Sequence, residues 1–287
     1  MTTIKTPSVA VVGSVNLDIV AAAPRLPVPG ETITDAELNR YPGGKGANQA
    51  LAARRLGAQV SLLARVGDDA AAEEALALLR ADNVDLSQCA AIQGAATGVA
   101  LIAVDPSGEN QIVVAPGANR LFAANSLLIP SSDALICQLE VPVATIAEVA
   151  TSYTGFFCIN VAPARAVPME TLQRADLLVM NETEAEFFGA AINDCKGIIA
   201  LTFGARGAEL RQGGRMLAQA RPPRVTSIDA TGAGDTFTAA LTVALVEGQE
   251  AQQALQFACA AGASATTKRG AQPSFPNREE VEVLLNR

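Results

Sequence analysis

The stretch Ile228-Asp229-Ala230-Thr231-Gly232-Ala233-Gly234-Asp235-Thr236-Phe237 runs from the end of an extended segment into an apolar helix. Phe237, Leu241, Ala244 and Leu245 recur at helical spacing. That predicts a helix over 236–246 with one buried face, closed by Gly248. Gly232, Ala233 and Gly234 carry almost no side chain where the helix begins. Their N–H groups are expected to stand free at the positive end of the helix dipole, an anion hole suited to phosphate. Asp235 falls in the first turn beside it. A carboxylate there repels an anion, so its chemical sense is to take a proton from a hydroxyl that attacks the phosphate. A plain Gly-rich turn before a helix-start Asp has the same letters, so the rest of the chain must decide.

The chain has 287 residues, enough for one large domain, or a large one with a small one. At that length roughly three quarters of the unfolded surface can be buried. Hydrophobic residues make up 49%, yet no apolar run reaches the ~18 residues of a membrane helix. The first apolar run, 9–15, meets Asn16 and Asp18 at once and has no basic leader before it. It reads as a first strand rather than a signal peptide, and a cytoplasmic protein is expected. The net charge of −8 without a basic run argues against nucleic acid as a partner. The five cysteines lack any CxxC spacing and read as buried free thiols. Histidine is absent. That removes Ser-His-Asp triads, Cys-His nucleophiles and His-ligated zinc, and leaves acid–base work to Asp, Glu or Lys.

Short apolar runs at 9–12, 60–64, 134–139, 156–159, 177–180 and 198–203 alternate with helical patterns. The alternation predicts an α/β fold, a parallel-type sheet with helices on both faces. Ligands then bind at the carboxyl ends of the strands, and the polar clusters fall there. Asn16 and Asp18 alternate with Val15 and Leu17, so both point one way in an extended chain. Pro24, Pro27, Pro29 and Gly30 punctuate an excursion from the main sheet. Pro42 to Asn48 opens a helix ending near Leu56-Gly57, with Lys45 and Asn48 on one face. The segment 69–80 reads as an amphipathic helix, and 97–104 with 111–115 as two strands around a Pro106-Ser107-Gly108 turn. A small sheet formed by about 18–42 and 97–116 is expected to act as a lid on a single domain spanning 1–287. Glu140 and Asn181-Glu182-Thr183-Glu184 follow strands, where a carboxylate can hold Mg²⁺ directly or through water. Glu184 alone would more often be a helix-start acid. Gly213-Gly214 reads as a hairpin turn, and Lys268 to Ser274 as a rigid loop after a helix over 252–266. No P-loop motif and no GxGxxG after the first strand is present. P-loop phosphoryl transfer and dinucleotide oxidoreduction both lose support.

In order, GSVNLD, PVPGET, GGKGANQA, TGVALI, PGAN, QLE, NETEAE, TFGARG, DATGAGDTF and KRGAQPS resemble the ribokinase family of carbohydrate kinases. They run from residue 13 to 274, nearly the whole chain. The resemblance implies ATP-dependent phosphorylation of the 5-hydroxyl of D-ribose. Asp235 matches the family's base, and Gly232, Ala233 and Gly234 its anion hole. Asn16, Asp18, Gly44, Lys45, Asn48 and Glu140 fall on sugar positions. Asn181, Thr202, Gly204, Arg206 and Gly207 fall on nucleotide positions, and Glu184 on the acid associated with Mg²⁺. Asp229, Thr231, Ala265, Lys268, Gly270 and Ser274 match a loop pair that binds potassium, an activator. The family fold is an α/β domain with a small β-sheet lid that often forms a homodimer interface.

The chain departs from the family on the nucleotide side. The stretch between Glu186 and Ile198 is short, 147–155 looks trimmed, and Cys259 stands where a polar residue near the adenine is usual. One short helix over 182–188 still suffices for a crossover. Two rivals follow. One is a kinase for another sugar or a nucleoside, although only 4% of residues are aromatic, which leaves little for stacking a base. The other is a non-catalytic sugar or nucleotide sensor on the same fold.

Overall fold

The computed structural model describes residues 6–123 and 127–286. The first half of the chain runs β1 (Ser8–Val12), β2 (Asn16–Ala22), β3 (Glu37–Gly43), α1 (Lys45–Arg55), β4 (Gln59–Gly67), α2 (Ala70–Ala81), β5 (Cys89–Ile92), β6 (Gly98–Val104) and β7 (Asn110–Ala115). The second half runs β8 (Ala134–Gln138), α3 (Val143–Ser152), β9 (Phe156–Asn160), α4 (Met169–Arg174), β10 (Leu177–Asn181), α5 (Glu182–Phe188), β11 (Ile198–Thr202), β12 (Ala208–Gln212) and β13 (Arg215–Ala220). Four helices close it: α6 (Ala233–Val246), α7 (Ala251–Ala265), α8 (Ala271–Ser274) and α9 (Arg278–Leu285).

Nine described strands form one sheet in the order β13-β12-β11-β10-β9-β8-β1-β4-β5. Seven of them are parallel, because helical crossovers connect them. β12 and β13 are antiparallel, so the sheet is mixed rather than wholly parallel. The cause is the Gly213-Gly214 turn, whose positive φ values of 55° and 76° fold the chain straight back. Alternation along β1 divides the interior. Val9 and Val11 join a core with α1, α2, α6 and α7, while Ala10 and Val12 join one with α3 and α4. Cys158 lies in the first core and Cys137 in the second, and burial pushes the Cys158 thiol up to about 12.

The small sheet has the order β3-β2-β6-β7. Pro42 sits inside β3, an edge strand, where the missing N–H is tolerated. The strand therefore runs to Gly43 and α1 starts only at Lys45, later than the sequence suggested. Gly44 makes the corner at φ 86°, and a Cβ there would lie 2.6 Å from the amide of Asn16. Asp69 caps α2 by accepting from the Ala72 amide at 3.0 Å. Residues 221–230 form no strand, and α6 begins at Ala233. The 268–274 segment is not all loop, since Ala271–Ser274 makes a helical turn. The shortened region after Glu186 holds the end of α5 and a 3-10 turn over Gly189–Asp194.

Candidate active site

β1 pairs with β4 on one side and β8 on the other, so the strand order reverses between β1 and β8. Crevices at such switch points, outside the carboxyl ends, are where α/β sheets bind ligands. Ser14 follows β1 and Glu140 follows β8. Ser14 Oγ donates to Glu140 Oε2 across that point at 2.5 Å. The same carboxylate oxygen accepts from the Lys45 amide at 3.0 Å, and Ala47 N donates to Ser14 O at 2.8 Å. These bonds dock the start of α1 onto the switch point.

From the small sheet, Asn16 and Asp18 on β2 are both buried. Gly43 on β3, the register partner of Asn16, leaves room for the Asp18 carboxylate, because a Cβ there would fall 2.3 Å from its Oδ2. Asn119, in a 3-10 turn over Gly117–Leu121, accepts from Val15 N at 2.9 Å and donates to Asn16 Oδ1 at 2.8 Å.

From the large sheet's helices, Asp235 in the first turn of α6 is 7% exposed. Its carboxylate accepts from Asn48 Nδ2 at 2.8 Å and Gln49 Nε2 at 2.9 Å. Lys45, Asn48 and Gln49, all on α1, thus face one carboxylate cluster. Burial pushes Asp235 up, and Lys45 and the two amides oppose that. Burial, Glu140 and Asp235 together push Asp18 up to about 7, against Lys45. Burial alone would lower the Lys45 ammonium, but Asp235, Glu140, Glu184 and Asp18 outweigh it and raise it. The site is a charge cluster rich in carboxylates around one cation.

At the start of α6 the amides divide differently from the expectation. Ala233 N donates back to Ala230 O at 3.2 Å, closing a turn. Among the described residues, Gly232 N, Gly234 N and Asp235 N have no hydrogen-bond acceptor. The free donors are therefore these three, shifted one residue along because Gly232 adopts φ 78° and tightens the first turn.

Other expected residues lie in a second cluster beyond the ends of β10 and β11. Asn181 and Glu184 cap α5 reciprocally, at 2.8 and 2.9 Å. Glu184 is thus a helix-start acid with one oxygen committed. Thr202 Oγ1 donates to Met180 O at 3.3 Å, Arg206 pairs with Glu182, and its guanidinium lies 5.4 Å from the Phe203 ring centroid. Gly204 and Gly207 bracket that turn with φ 57° and 105°. Cys259 on α7 is buried with its thiol 3.9 Å from Ala220 O, and burial pushes it up to about 11.

Asp229 gathers the loop before α6. It accepts from Thr231 N, Thr231 Oγ1 and Gly270 N at 2.9, 2.6 and 2.8 Å. The carbonyls of Thr231, Ala265 and Lys268 accept no hydrogen bond from the described residues, while that of Gly270 opens the helical turn of α8. Uncommitted carbonyls beside a carboxylate are the donor set a large hard cation takes. Ser274 differs, its hydroxyl donating to Ala271 O at 2.7 Å.

Sequence reasoning missed Gln49, Asn119, Gln138 and Gln272, which hold the site residues from behind. Each lies inside one of the quoted motifs, which was the available signal.

The pfkB family carbohydrate kinase model matches residues 6–278. A ribokinase of Bacillus subtilis is 36% identical over 97% of this chain and 99% of its own. A ribokinase of Thermotoga maritima superposes with a TM-score of 0.86 at 33% identity, covering 98% of this chain and all of the other. The ribokinase of Arabidopsis thaliana, solved with ribose and ATP, gives 0.87 at 30% identity, covering 98% and 99%. With the strand order reversing between β1 and β8, a buried carboxylate at a helix start and this full-length similarity, the chain belongs to the pfkB family of carbohydrate kinases.

Proposed function

We propose that this enzyme transfers the γ-phosphoryl group of ATP to the 5-hydroxyl of D-ribose. The observation that carries the reading is Asp235: a buried carboxylate, held on both oxygens, beside free amides of its own helix start. The sugar hydroxyl gives its proton to Asp235 as its oxygen bonds to phosphorus, and the bond from phosphorus to the β,γ-bridging oxygen breaks to release ADP. Gly232, Gly234 and Asp235 amides face the charge that builds on the moving group. Asn16, Asp18, Lys45, Asn48 and Glu140 grip the other sugar hydroxyls. Asn181, Thr202, Gly204, Arg206, Gly207 and the wall at Cys259 take the nucleotide.

Mg²⁺ arriving with ATP would neutralise phosphate charge, with Glu184 reaching it through water by its uncommitted oxygen. Potassium would bind the Asp229, Thr231, Ala265, Lys268 and Gly270 group, with Ser274 behind it, and stiffen the loop that leads into α6. The small sheet closes over the sugar as a lid on a single domain and excludes water. Its outer face supports a homodimer. Ile19, Leu101 and Val113 share that face opposite Asp18, and Leu38 extends it as an exposed apolar patch. The free cysteines suit a reducing cytoplasm, and among the described residues no helix is long and apolar enough to cross a membrane.

The test is a kinetic panel of ribose, deoxyribose, fructose and nucleosides with ATP. Ribose should give the highest kcat/KM. Turnover of ribose no better than that of the others would end the reading.

A further inference from the structure

Behind Asp235 the amides form two arms of one polarity. In the first, Gln138 Nε2 donates to Gln49 Oε1 at 2.6 Å, and Gln49 Nε2 donates to Asp235 Oδ1 at 2.9 Å. In the second, Gln272 Nε2 donates to Asn48 Oδ1 at 3.3 Å, and Asn48 Nδ2 donates to Asp235 Oδ2 at 2.8 Å. Gln49, Gln138 and Gln272 are fully buried. An ionised carboxylate only accepts hydrogen bonds, so the NH₂ ends of Asn48 and Gln49 must face it. Their oxygens then point away and need donors, which fixes the outer glutamines too. The polarity runs out at Gln138 Oε1 and Gln272 Oε1, both buried without a partner among the described residues. An orphaned buried acceptor is costly to keep. Gly13 makes room for the first of them, since a Cβ there would fall 2.0 Å from Gln138 Oε1. A core built for stability alone would fill these positions with apolar groups.

We infer that Gln49 and Gln138 are positioning residues for phosphoryl transfer, a relay that orients the Asp235 carboxylate and keeps it a proton acceptor. This rests on the reading of Asp235 as the base. Rotation of the carboxylate would break both inner bonds at once, so the arms lock its plane. Each oxygen keeps a second lone pair for the sugar hydroxyl. The charged groups facing Asp235 are Lys45 on α1, Glu140 after β8 and Asp18 on β2; the first favours the anion and the other two oppose it. The amide donors act in the same direction as Lys45.

The experiment compares wild type with Gln49→Met and Gln138→Met, following kcat and KM for ribose against pH and ribose binding by calorimetry. Gln138 touches neither Asp235 nor the sugar residues through any hydrogen bond, so Gln138→Met keeps the test alive if Gln49→Met does not fold. Both variants should lose about 10- to 100-fold in kcat, with ribose affinity nearly unchanged. The acid limb of kcat should move to higher pH, because a lost donor favours the protonated carboxyl. A purely packing role would lower the melting temperature and leave the limb in place. Folded variants with the limb unmoved would overturn the inference. Wild-type protein that turns over no sugar with ATP would instead overturn the functional reading beneath it.

Discussion

The ring of Tyr41, on the edge strand of the small sheet, occupies the space where a side chain on Gly270 would begin. A Cβ there would fall 2.7 Å from Tyr41 Cδ1, and Gly270 itself adopts φ 78°. Gly270 N also donates to Asp229 Oδ2 at 2.8 Å. Small sheet, 270 loop and the approach to α6 therefore meet at one residue. Gly270→Ala should cost on the order of 1–3 kcal/mol from backbone strain and collision. Tyr41→Ala in the same chain should return the collision part, giving a non-additive cycle in denaturant melts. Strict additivity would show that the ring does not press on this position.

Asp18 predicts a pH dependence of stability. Its folded value of about 7 lies above its unfolded value of 3.8. The folded state therefore binds the proton more tightly, and the sign is that of a raised group. Its contribution is fully present below the unfolded value and is lost as pH rises through about 7. Asp18→Asn should stabilise the ligand-free protein at pH 8 by on the order of a few kcal/mol and do much less at pH 4. Thermal melts across that range check it. An equal effect at both ends would place the proton elsewhere in the cluster.

Why some of this was legible in the sequence and some was not has a physical cause. Parallel strands buried on both faces read as unbroken apolar runs, and α6 read as a helix because its face repeats at 3.6 residues. The α5 segment, 182–188, matched because two parallel strands need a crossover and the short stretch leaves room for only one helix, which Asn181 and Glu184 then cap. The edge strand through Pro42 was not legible, since an edge is a property of the sheet and not of the strand. The Ala233 amide was misjudged because a positive φ at Gly232 tightens the turn, and glycine permits that conformation without announcing it. The glutamine relay was invisible because Gln49, Gln138 and Gln272 come from distant segments that only the fold brings together.

The Asp229 loop predicts a response to monovalent cations. Its carboxylate already accepts three hydrogen bonds, two from Thr231 on one oxygen and one from Gly270 on the other, so it supplies field more than a free chelating pair. The open carbonyls around it suit a large, weakly hydrated ion. Potassium chloride should raise the rate more than sodium chloride at equal ionic strength, and Asp229→Ala should erase the difference. Equal rates in the two salts for wild type would count against this donor set.

Asp235→Asn removes the proposed base but also disturbs its supports. Asn48 and Gln49 both point N–H groups at residue 235. An asparagine there can offer an oxygen to only one of them, so the other must turn its amide and disturb its outer glutamine. The substitution should lower kcat by roughly 10²–10⁴-fold. Ribose binding should survive, because Asn16, Asp18, Lys45 and Glu140, the proposed sugar contacts, remain in place. Asp235→Ala, which clashes with neither amide, should lose as much in rate while binding ribose at least as well. Calorimetric titration with ribose beside single-turnover kinetics separates the two effects. A variant that binds the sugar normally and turns over at nearly the wild-type rate would assign the proton acceptor to another carboxylate, with Asp18 the first to test.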